Sequence, residues 1–500
     1  MTHDESPVGT WPLDPDGLAL LANVHPPDWR NPRPTGTYDF VIVGAGPAGM
    51  LAARGAATLG RKVALIERNL LGGNCLNVGC VPSKALIRTA RLYEQMRDAE
   101  DVGVPPPEAV RIDVAEAMQR IRHLQARLSR ADSAGRLRDH GIDVYFGAAR
   151  FAGPTKVSVE GAVLRFKKAL IATGARPMTP AIPGIVAAGY LTNENAFKLR
   201  EAPRRLLVIG GGPLGCELAQ AFCRLGSHVV IAQDDPMFLQ GEERDAAQIL
   251  SDSLARDGVE IHLNTQVVAV RTQGKQKIVE LASDDSKLSV SVDEILAGIG
   301  RAPNVENLDL EAARVEYDTG TGIRVNDFLQ TTNARIYAAG DVCLEHKFTH
   351  MADATARMVL HNALMRGRRR LSALTVPWCT YTDPEIAHVG LYVREARQRA
   401  IPVKTFTILM HDVDRAVTDG DEEGFVKIHV REGTDRILGA TVVARHAGEM
   451  INELSVAITA GIGLGELGRV IHAYPTQGEA IKMAADAYYR TRLRATARYR

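Results

Sequence analysis

The chain of 500 residues has little of what marks several classes of protein. Aromatic residues make up only 5% and the formal net charge is +1, which disfavours base-stacking surfaces and nucleic acid as a partner. Six cysteines are too few for a secreted disulfide scaffold. No run approaches the roughly 20 apolar residues of a membrane span, and the first residues do not form a signal peptide. We therefore expect a soluble, cytoplasmic protein.

Glycine is abundant, with 45 residues, and two glycine clusters repeat one pattern. Each cluster follows a strand-like run and precedes a helix-like stretch and a second strand. In such a βαβ unit the glycines allow a tight turn, close approach of a pyrophosphate and close packing of helix on strand. We predict two dinucleotide-binding folds. The glycines are Gly44, Gly46 and Gly49 in the first cluster, and Gly210, Gly212 and Gly215 in the second.

The residue that ends the second strand of each unit indicates which dinucleotide the unit binds. Glu67 lies 23 residues after Gly44, where a carboxylate can accept hydrogen bonds from ribose hydroxyls. Gln233 holds the matching place in the second unit, followed by two aspartates, and no Lys or Arg occurs from 233 to 243. Because a 2′-phosphate needs cations, NADH is favoured over NADPH at this second site, with NADPH left open.

The one close pair of cysteines is Cys75 and Cys80, within a glycine-rich segment. A disulfide that closes so small a loop stabilises a fold little, which indicates a redox role. Pro82 suits a first helical turn, so Cys80 is expected at a helix N-terminus, where the helix dipole favours a thiolate. Lys84 lies one turn further along the same face. The alternative, a zinc site, lacks nearby ligands, so no metal ligands are predicted.

Two other stretches have a distinctive composition. Residues 1–36 are rich in proline and are expected to form an irregular arm that packs on the body. The stretch at about 114–140 is rich in Arg and Gln, and is interpreted as a solvated helix rather than a binding surface.

Together these motifs resemble the class I pyridine nucleotide–disulfide oxidoreductases, the family of dihydrolipoamide dehydrogenase, glutathione reductase and mercuric reductase. The resemblance spans about 37–490 and implies an α/β fold with two Rossmann-type domains, for FAD and NAD(P), and a C-terminal α+β dimerisation domain. Its motifs are GGNCLNVGCVPSK at 72–84, ATG at 172–174, GRAPN at 300–304, AGD at 339–341 and YTDPE at 381–385. The expected limits are 1–36 for the arm, 37–183 and 304–368 for the two parts of the FAD domain, 184–303 for the NAD(P) domain and 369–500 for the dimerisation domain.

The resemblance also implies roles for single residues. Cys80 should face the flavin, Cys75 should meet the acceptor, and Glu217 should pair with Lys84. A homodimer is implied, with each active site completed by the other subunit, and the acceptor would be a small molecule or a metal ion. The residues implied for FAD are Gly44, Gly46, Gly49, Glu67, Thr173, Gly174, Gly340 and Asp341, and those for NAD(P) are Gly210, Gly212, Gly215, Gln233 and Gly300.

One departure affects the choice of acceptor. Disulfide reductases of the family carry a His-Pro-Thr-x-x-Glu motif whose histidine is the acid/base, but here Tyr474 occupies the histidine position and Glu479 follows. A phenol with a pKa near 10 is a poor base at neutral pH. Mercuric reductase also has a tyrosine at this position. Tyr190 resembles a tyrosine near the nicotinamide site of that enzyme, and the alternative role for Tyr190 is a gate over the flavin, which is common to the whole family. The segment from Tyr488 lacks the cysteine pair of the mercuric enzymes.

Three functions follow as hypotheses. The first is a metal-ion reductase similar to mercuric reductase, because a metal ion needs thiolates and little proton transfer. The second is a disulfide reductase, dihydrolipoamide dehydrogenase included, with His472 or water as the base. The third is a redox sensor or complex subunit that binds flavin with negligible turnover.

Overall fold

The computed structural model describes residues 14–283, 286–365 and 367–497. In chain order the helices are α1 (Pro15–Val24), α2 (Pro47–Thr58), α3 (Gly73–Asn77), α4 (Cys80–Arg97), α5 (Val114–Ser129), α6 (Ala134–Asp139), α7 (Ile185–Ala188), α8 (Pro213–Arg224), α9 (Arg244–Arg256), α10 (Thr349–Leu364), α11 (Val393–Gln398), α12 (Asp414–Asp419), α13 (Ala447–Ala460), α14 (Leu464–Leu467) and α15 (Glu479–Ala497). The strands are β1 (Thr37–Val43), β2 (Val63–Glu67), β3 (Ile142–Phe146), β4 (Arg150–Phe151), β5 (Lys156–Val159), β6 (Ala162–Ile171), β7 (Ala175–Pro177), β8 (Arg205–Ile209), β9 (His228–Ala232), β10 (Glu260–His262), β11 (Gln266–Gln273), β12 (Gln276–Ala282), β13 (Lys287–Val292), β14 (Glu294–Ala297), β15 (Arg301–Pro303), β16 (Tyr317–Asp318), β17 (Gly322–Ile323), β18 (Ile336–Ala338), β19 (Pro377–Thr380), β20 (Glu385–Gly390), β21 (Val403–Leu409), β22 (Phe425–Arg431) and β23 (Ile437–Ala444).

A parallel sheet in the order β3-β2-β1-β6-β18 forms the first nucleotide-binding fold. Its central strand β1 is almost wholly buried, as expected for a parallel strand with helices on both faces. The antiparallel strands β4 and β5 extend the sheet from the first half of β6. Strand β18 returns to this sheet after the chain has built the second fold. The sheet therefore joins two segments that are far apart in the sequence.

The second nucleotide-binding fold repeats the first. Strands β10-β9-β8-β14 form a parallel sheet, and β11, β12 and β13 form an antiparallel meander beside it. Gly44 and Gly210 have φ of +100° and +99°, which favours glycine at both turns. A Cβ on Gly49 would collide with the carbonyl oxygen of Gly44, and one on Gly215 would collide with that of Gly210. The predicted duplication of the βαβ unit is confirmed.

The chain crosses between the two folds through a short pair of strands. Strand β7 leaves the first fold and pairs antiparallel with β15, on which the chain returns. This pairing lies close to the expected limits at 183 and 303, which stay predictions.

The C-terminal part is a five-stranded antiparallel sheet in the order β19-β20-β23-β22-β21. Helix α13 packs against β20 and β23, and α15 packs against β21 and β22. This is the α+β architecture that the sequence predicts for this part of the chain. Within the described ranges, no helix is long and apolar enough to cross a membrane.

The arm packs on the first fold through a helix. Asp14 caps α1 by accepting a hydrogen bond from the backbone N–H of Gly17 at 2.8 Å, and Leu20 and Val24 are buried in the core below it. After the helix, the indole N–H of Trp29 donates to the backbone carbonyl of Val144. The arm therefore packs on the body as predicted, with more helix than expected. Residues 1–13 of the predicted arm lie outside the described residues.

The polar stretch at 114–140 forms two helices, α5 and α6, rather than one. One side of α5 is buried through Met118 and Ile121, and this helix packs against α4. The side-chain amide of Gln125 donates to the backbone carbonyls of Leu76 at 3.0 Å and Asn77 at 2.7 Å. Helix α5 therefore holds the loop between the two close cysteines.

Candidate active site

Each nucleotide loop is closed by the side chain that ends its second strand. One carboxylate oxygen of Glu67 accepts from the backbone N–H of Ala45 at 2.8 Å. The amide oxygen of Gln233 accepts in the same way from the N–H of Gly211 at 2.6 Å. Burial raises the pKa of the Glu67 carboxyl. Gln233 thus reproduces the loop-closing hydrogen bond of the acid without its charge.

The first loop fits a bound dinucleotide. Helix α2 begins after Gly46, with no side chain capping its N-terminus, so the N–H groups of its first turn face the space where phosphate oxygens bind. At the same carboxyl edge of the sheet, after β18, Asp341 pairs with Arg301, whose Nη1 lies 2.6 Å from its carboxylate. The Nε of Arg301 is buried and has no hydrogen-bond partner among the described residues. These features suit FAD, in which a pyrophosphate and a polar ribityl chain separate the two ring systems.

Two further predicted motifs meet where the chain crosses between the folds. The Thr173 hydroxyl donates to the carbonyl of Asn304 at 2.7 Å, and the Asn304 amide donates back to the carbonyl of Thr173 at 2.9 Å. Gly174 accepts from the Asn304 N–H and has φ +71°. Gly340 lies between α2 and α10, with φ +75°, and Gly300 has φ +110°. The structure therefore holds the segments around 173 and 304 together.

The two cysteines lie on consecutive helices, Cys75 within α3 and Cys80 at the start of α4. Both are free thiols, and Cys80 is the first residue of its helix, as predicted. Cys75 is partly buried, whereas Cys80 is exposed in the protein chain. The Cys80 Sγ also lies 3.4 Å from the hydroxyl of Thr349, the first residue of α10. The pair therefore sits between the N-termini of two helices.

The surroundings give the two thiols opposite acidities. The neighbouring Cys75 thiol, helped by Thr349 and by the charge of Lys84, lowers the pKa of Cys80 from 9.0 to about 6. The neighbouring Cys80 sulfur and burial raise the pKa of Cys75 well above its usual range. At neutral pH Cys80 is therefore the thiolate and Cys75 the thiol. This is the charge pattern expected for a Cys80 sulfur that faces an electron carrier.

A buried carboxylate connects this helix to the rest of the molecule. The Lys84 ammonium lies 2.8 Å from one oxygen of Glu217, whose side chain is 5% exposed. The other oxygen of Glu217 accepts from the backbone N–H of Tyr381 at 2.9 Å. The ammonium also lies 4.4 Å from the centre of the Tyr381 ring, in a cation–π contact. The contact between Lys84 and Glu217 is as predicted.

Tyr190 lies at the edge of the second sheet, near the cysteine loop. Its neighbour Leu191 pairs with Leu296 of β14. Three residues after Tyr190, the side-chain amide of Asn193 donates to the carbonyl of Val78 at 3.0 Å, and Val78 lies between the two cysteines in the sequence. The segment that carries Tyr190 therefore contacts the loop of the redox pair.

Tyr474 and Glu479 lie in the C-terminal part and form no hydrogen bond with the cysteine pair in the described chain. Tyr474 is 68% exposed, and its hydroxyl donates to the carboxylate of Asp414 at 2.7 Å. That hydrogen bond raises the pKa of the Tyr474 phenol. Glu479 begins α15 nearby. Two of the seven predicted catalytic residues thus form no hydrogen bond with the cysteine pair within the described chain.

Sequence reasoning missed Thr349 and gave no role to Tyr381. Thr349 is 269 residues from Cys80 in the chain, and no local pattern marks it. Tyr381 stands in the YTDPE motif, which was the available signal, but its contact with Lys84 depends on how the domains pack. In the described part of the chain, no group of three His, Cys, Asp or Glu side chains is placed to hold a metal ion.

The acidity of Cys80 leads to a prediction for the reduced protein. Iodoacetamide should alkylate Cys80 with a pH midpoint near 6, because only the thiolate reacts and its pKa is lowered from 9.0 to about 6. Peptide mass spectrometry of samples quenched across the pH range measures this midpoint. Cys216, whose pKa is raised by complete burial, serves as the unreactive control. A shared midpoint near 9 for Cys75 and Cys80 would contradict the assignment.

Comparison with known proteins agrees with this geometry. Residues 38–367 match the pyridine nucleotide-disulphide oxidoreductase family, and residues 376–485 match its dimerisation domain. The chain is 32% identical to mercuric reductase of Staphylococcus aureus, over 90% of this chain and 82% of that protein. It is 35% identical to dihydrolipoyl dehydrogenase of Thermus scotoductus, over 91% and 98%.

Solved structures give the same result. The HOCl-induced flavoprotein disulfide reductase RclA from Escherichia coli superposes with a TM-score of 0.80 at 30% identity, covering 90% of this chain and 99% of RclA. A Cu(II) complex of RclA gives a TM-score of 0.79 at 30% identity, over 89% and 98%. The cysteine pair, the two nucleotide folds and the dimerisation domain are thus those of a known group, and the chain belongs to the FAD-dependent pyridine nucleotide–disulphide oxidoreductases.

Proposed function

We propose that this flavoprotein passes two electrons from NAD(P)H through the Cys75–Cys80 pair to a metal ion, as a reductase similar to mercuric reductase. The observation that carries the proposal is the state of Tyr474. Its phenol is hydrogen-bonded to a carboxylate that raises its pKa, so it does not serve as a base at neutral pH. An acceptor that needs thiolates but little proton transfer is compatible with such a residue.

Each side chain near the cysteine pair has a separate role in the proposed electron transfer. Lys84 holds its charge beside Cys80, where it stabilises the thiolate, and Glu217 fixes the position of Lys84. Bound FAD supplies the two-electron relay between the nicotinamide and the cysteines. When the Cys80 thiolate and the Cys75 thiol are oxidised, a Cys75–Cys80 bond forms, one proton leaves from Cys75, and two electrons pass to the acceptor. A divalent metal ion that takes both electrons becomes the element and releases its ligands.

The relatives support a metal ion as the acceptor. Mercuric reductases are among the proteins to which the chain is similar, and RclA has been solved as a Cu(II) complex. The described residues offer the two cysteine sulfurs as soft ligands, which suit such ions.

A disulfide reductase is the second candidate, because one histidine near Tyr474 has a carboxylate partner. The Nε2 of His472 lies 2.8 Å from Glu453, and its Nδ1 lies 3.1 Å from the carbonyl of Val470. The carboxylate orients the imidazole as a thiol base requires, and the contact of Nδ1 with the Val470 carbonyl would have to open before that nitrogen could accept a proton. Similarity to dihydrolipoyl dehydrogenase agrees with this alternative.

A homodimer is suggested by the dimerisation domain. We infer that the segment with Tyr474 and Glu479 reaches the cysteine pair of the partner subunit, because it is exposed and makes no hydrogen bond with the pair of its own chain. This arrangement would place the Tyr474 phenol beside the acceptor.

We also infer that NADH is the preferred coenzyme. The amide oxygen of Gln233 accepts a hydrogen bond from the glycine loop. The next residue, Asp234, is exposed where a 2′-phosphate would extend. A carboxylate at that place repels a phosphate.

An acceptor panel tests the proposed function. Purified protein with NADH should reduce Hg(II) faster than lipoamide or oxidised glutathione, as followed by NADH absorbance. Cys75→Ser should lose acceptor reduction, because one sulfur of the pair is gone, whereas Cys223→Ser, on α8, should retain it. Faster turnover with lipoamide would favour the second candidate. No turnover with any acceptor, despite flavin reduction, would indicate a sensor.

Restoring a base tests the importance of Tyr474. Tyr474→His should raise lipoamide or glutathione reduction by about tenfold or more, part of the roughly 10²–10⁴ that a positioned base contributes. Tyr474→Phe is the control and should give no gain. If the histidine variant is no faster than wild type, the missing base does not limit disulfide reduction.

The coenzyme preference is tested by steady-state kinetics with each nicotinamide. Wild type should have the higher kcat/KM with NADH. Asp234→Arg should shift the ratio toward NADPH, because it replaces a repelling charge with an attracting one, and Asp252→Arg on α9 should not. A wild-type preference for NADPH would refute the inference.

A further inference from the structure

A groove runs between α4 and α5 beside the cysteine pair. It has a volume of about 450 Å³, and we call it the arginine groove. Its residues have helical spacing on both walls, so one face of each helix lines it. The lining residues are Cys80, Val81, Lys84, Ala85 and Arg88 from α4, and Arg120, Leu124, Arg127 and Leu128 from α5.

Apart from the Cys80 thiolate, the charged side chains that line the arginine groove are all positive. Its lining includes four cations and no carboxylate. The charge of Lys84 is offset by Glu217. Arg120 donates only to the neutral carbonyl of Ala85, at 3.3 Å. Arg88 and Arg127 are exposed and, among the described residues, make no hydrogen bond or ion pair through their side chains. Three guanidinium charges are therefore uncompensated.

The groove ends at the reactive sulfurs. Cys80 is part of its lining, and Cys75 lies on the preceding helix, α3. The Cys80 thiolate adds one negative charge at that end, and three guanidiniums outnumber it. The floor between the charges is apolar, formed by side chains such as Leu124 and Leu128. A ligand that matches this lining has sulfur at one end, a short aliphatic part and a carboxylate.

We propose that the arginine groove selects an acceptor that is an anionic thiol derivative, held by its carboxylates against Arg88, Arg120 and Arg127 with its sulfur at the cysteine pair. The proposal rests on the proposed function and deepens it. A free divalent metal ion would be repelled by the three cations. A metal ion would therefore be delivered as its complex with carboxylate-bearing thiols, and a disulfide would carry the same carboxylates.

The first experiment needs no turnover. Iodoacetate and iodoacetamide are nearly equal in size, but only iodoacetate is anionic. The ratio of their alkylation rates at Cys80 of the reduced protein, divided by the same ratio for a small free thiol, measures the attraction for anions. Wild type should give a ratio well above one. Removing one arginine should lower the ratio about two- to fivefold, the range expected for an exposed charge pair.

The variants are Arg88→Gln and Arg127→Gln, with Arg136→Gln on α6 as the matched control. Arg136 is exposed and does not line the groove, but its replacement changes the net charge equally. Arg88→Lys retains the charge and should keep the wild-type ratio, which separates charge from damage to the fold. The proposal would be overturned if wild type and both groove variants had the same alkylation ratio. It would also be overturned if Arg136→Gln lowered the ratio as much as the groove variants do.

The second experiment ranks acceptors by charge. Hg(II) complexes of 3-mercaptopropionate, 2-mercaptoethanol and cysteamine are anionic, neutral and cationic at similar size, and so are the corresponding disulfides. Within whichever series is reduced, kcat/KM should fall from anionic to cationic by about tenfold or more. A flat or reversed order would overturn the proposal. If neither series is reduced, the proposed function fails, and the alkylation ratio still decides the charge preference of the groove.

Discussion

The buried carboxylate of Glu217 is the contact on which the arrangement of this molecule depends. It belongs to the second nucleotide fold, binds Lys84 of the first through one oxygen, and binds the backbone of Tyr381 in the C-terminal part through the other. A buried charge is costly unless it is paired and hydrogen-bonded, and here both oxygens are satisfied. Three parts of the chain are thereby held at one point, one helical turn from Cys80.

The same junction is reinforced by other polar contacts. Arg91 on α4 donates to the carbonyl of Thr382, and Arg224 on α8 pairs with Asp383 at 2.8 Å and with Asp257 at 3.0 Å. These contacts fix the YTDPE segment against both helices. Helix α4 therefore cannot shift without breaking ion pairs, which keeps the cysteine pair in a constant position relative to both nucleotide loops.

The acidity of the thiols follows from that position. The N-terminus of α4, the Lys84 ammonium, the Thr349 hydroxyl and the neighbouring Cys75 thiol all stabilise a negative sulfur at Cys80. The C-terminal segment contributes in a different way. In the proposed homodimer, Tyr474 would place a phenol instead of an imidazole at the partner subunit's cysteine pair, which would limit proton transfer without altering the thiolate.

The sequence alone determined the two nucleotide folds and the close cysteine pair, because glycine turns, helix starts and short spacings are local. The resemblance to the family, rather than any local pattern, implied the contact of Lys84 with Glu217, which lie 133 residues apart. Even Gln233 was identified by its distance from Gly210, although its hydrogen bond to the loop was not. Only the tertiary structure brought Thr349 to Cys80, and only it showed that an arginine-rich helix, interpreted as solvated, forms a wall beside the cysteines. Such contacts join residues far apart in the chain, and they are set by how helices pack rather than by any local pattern.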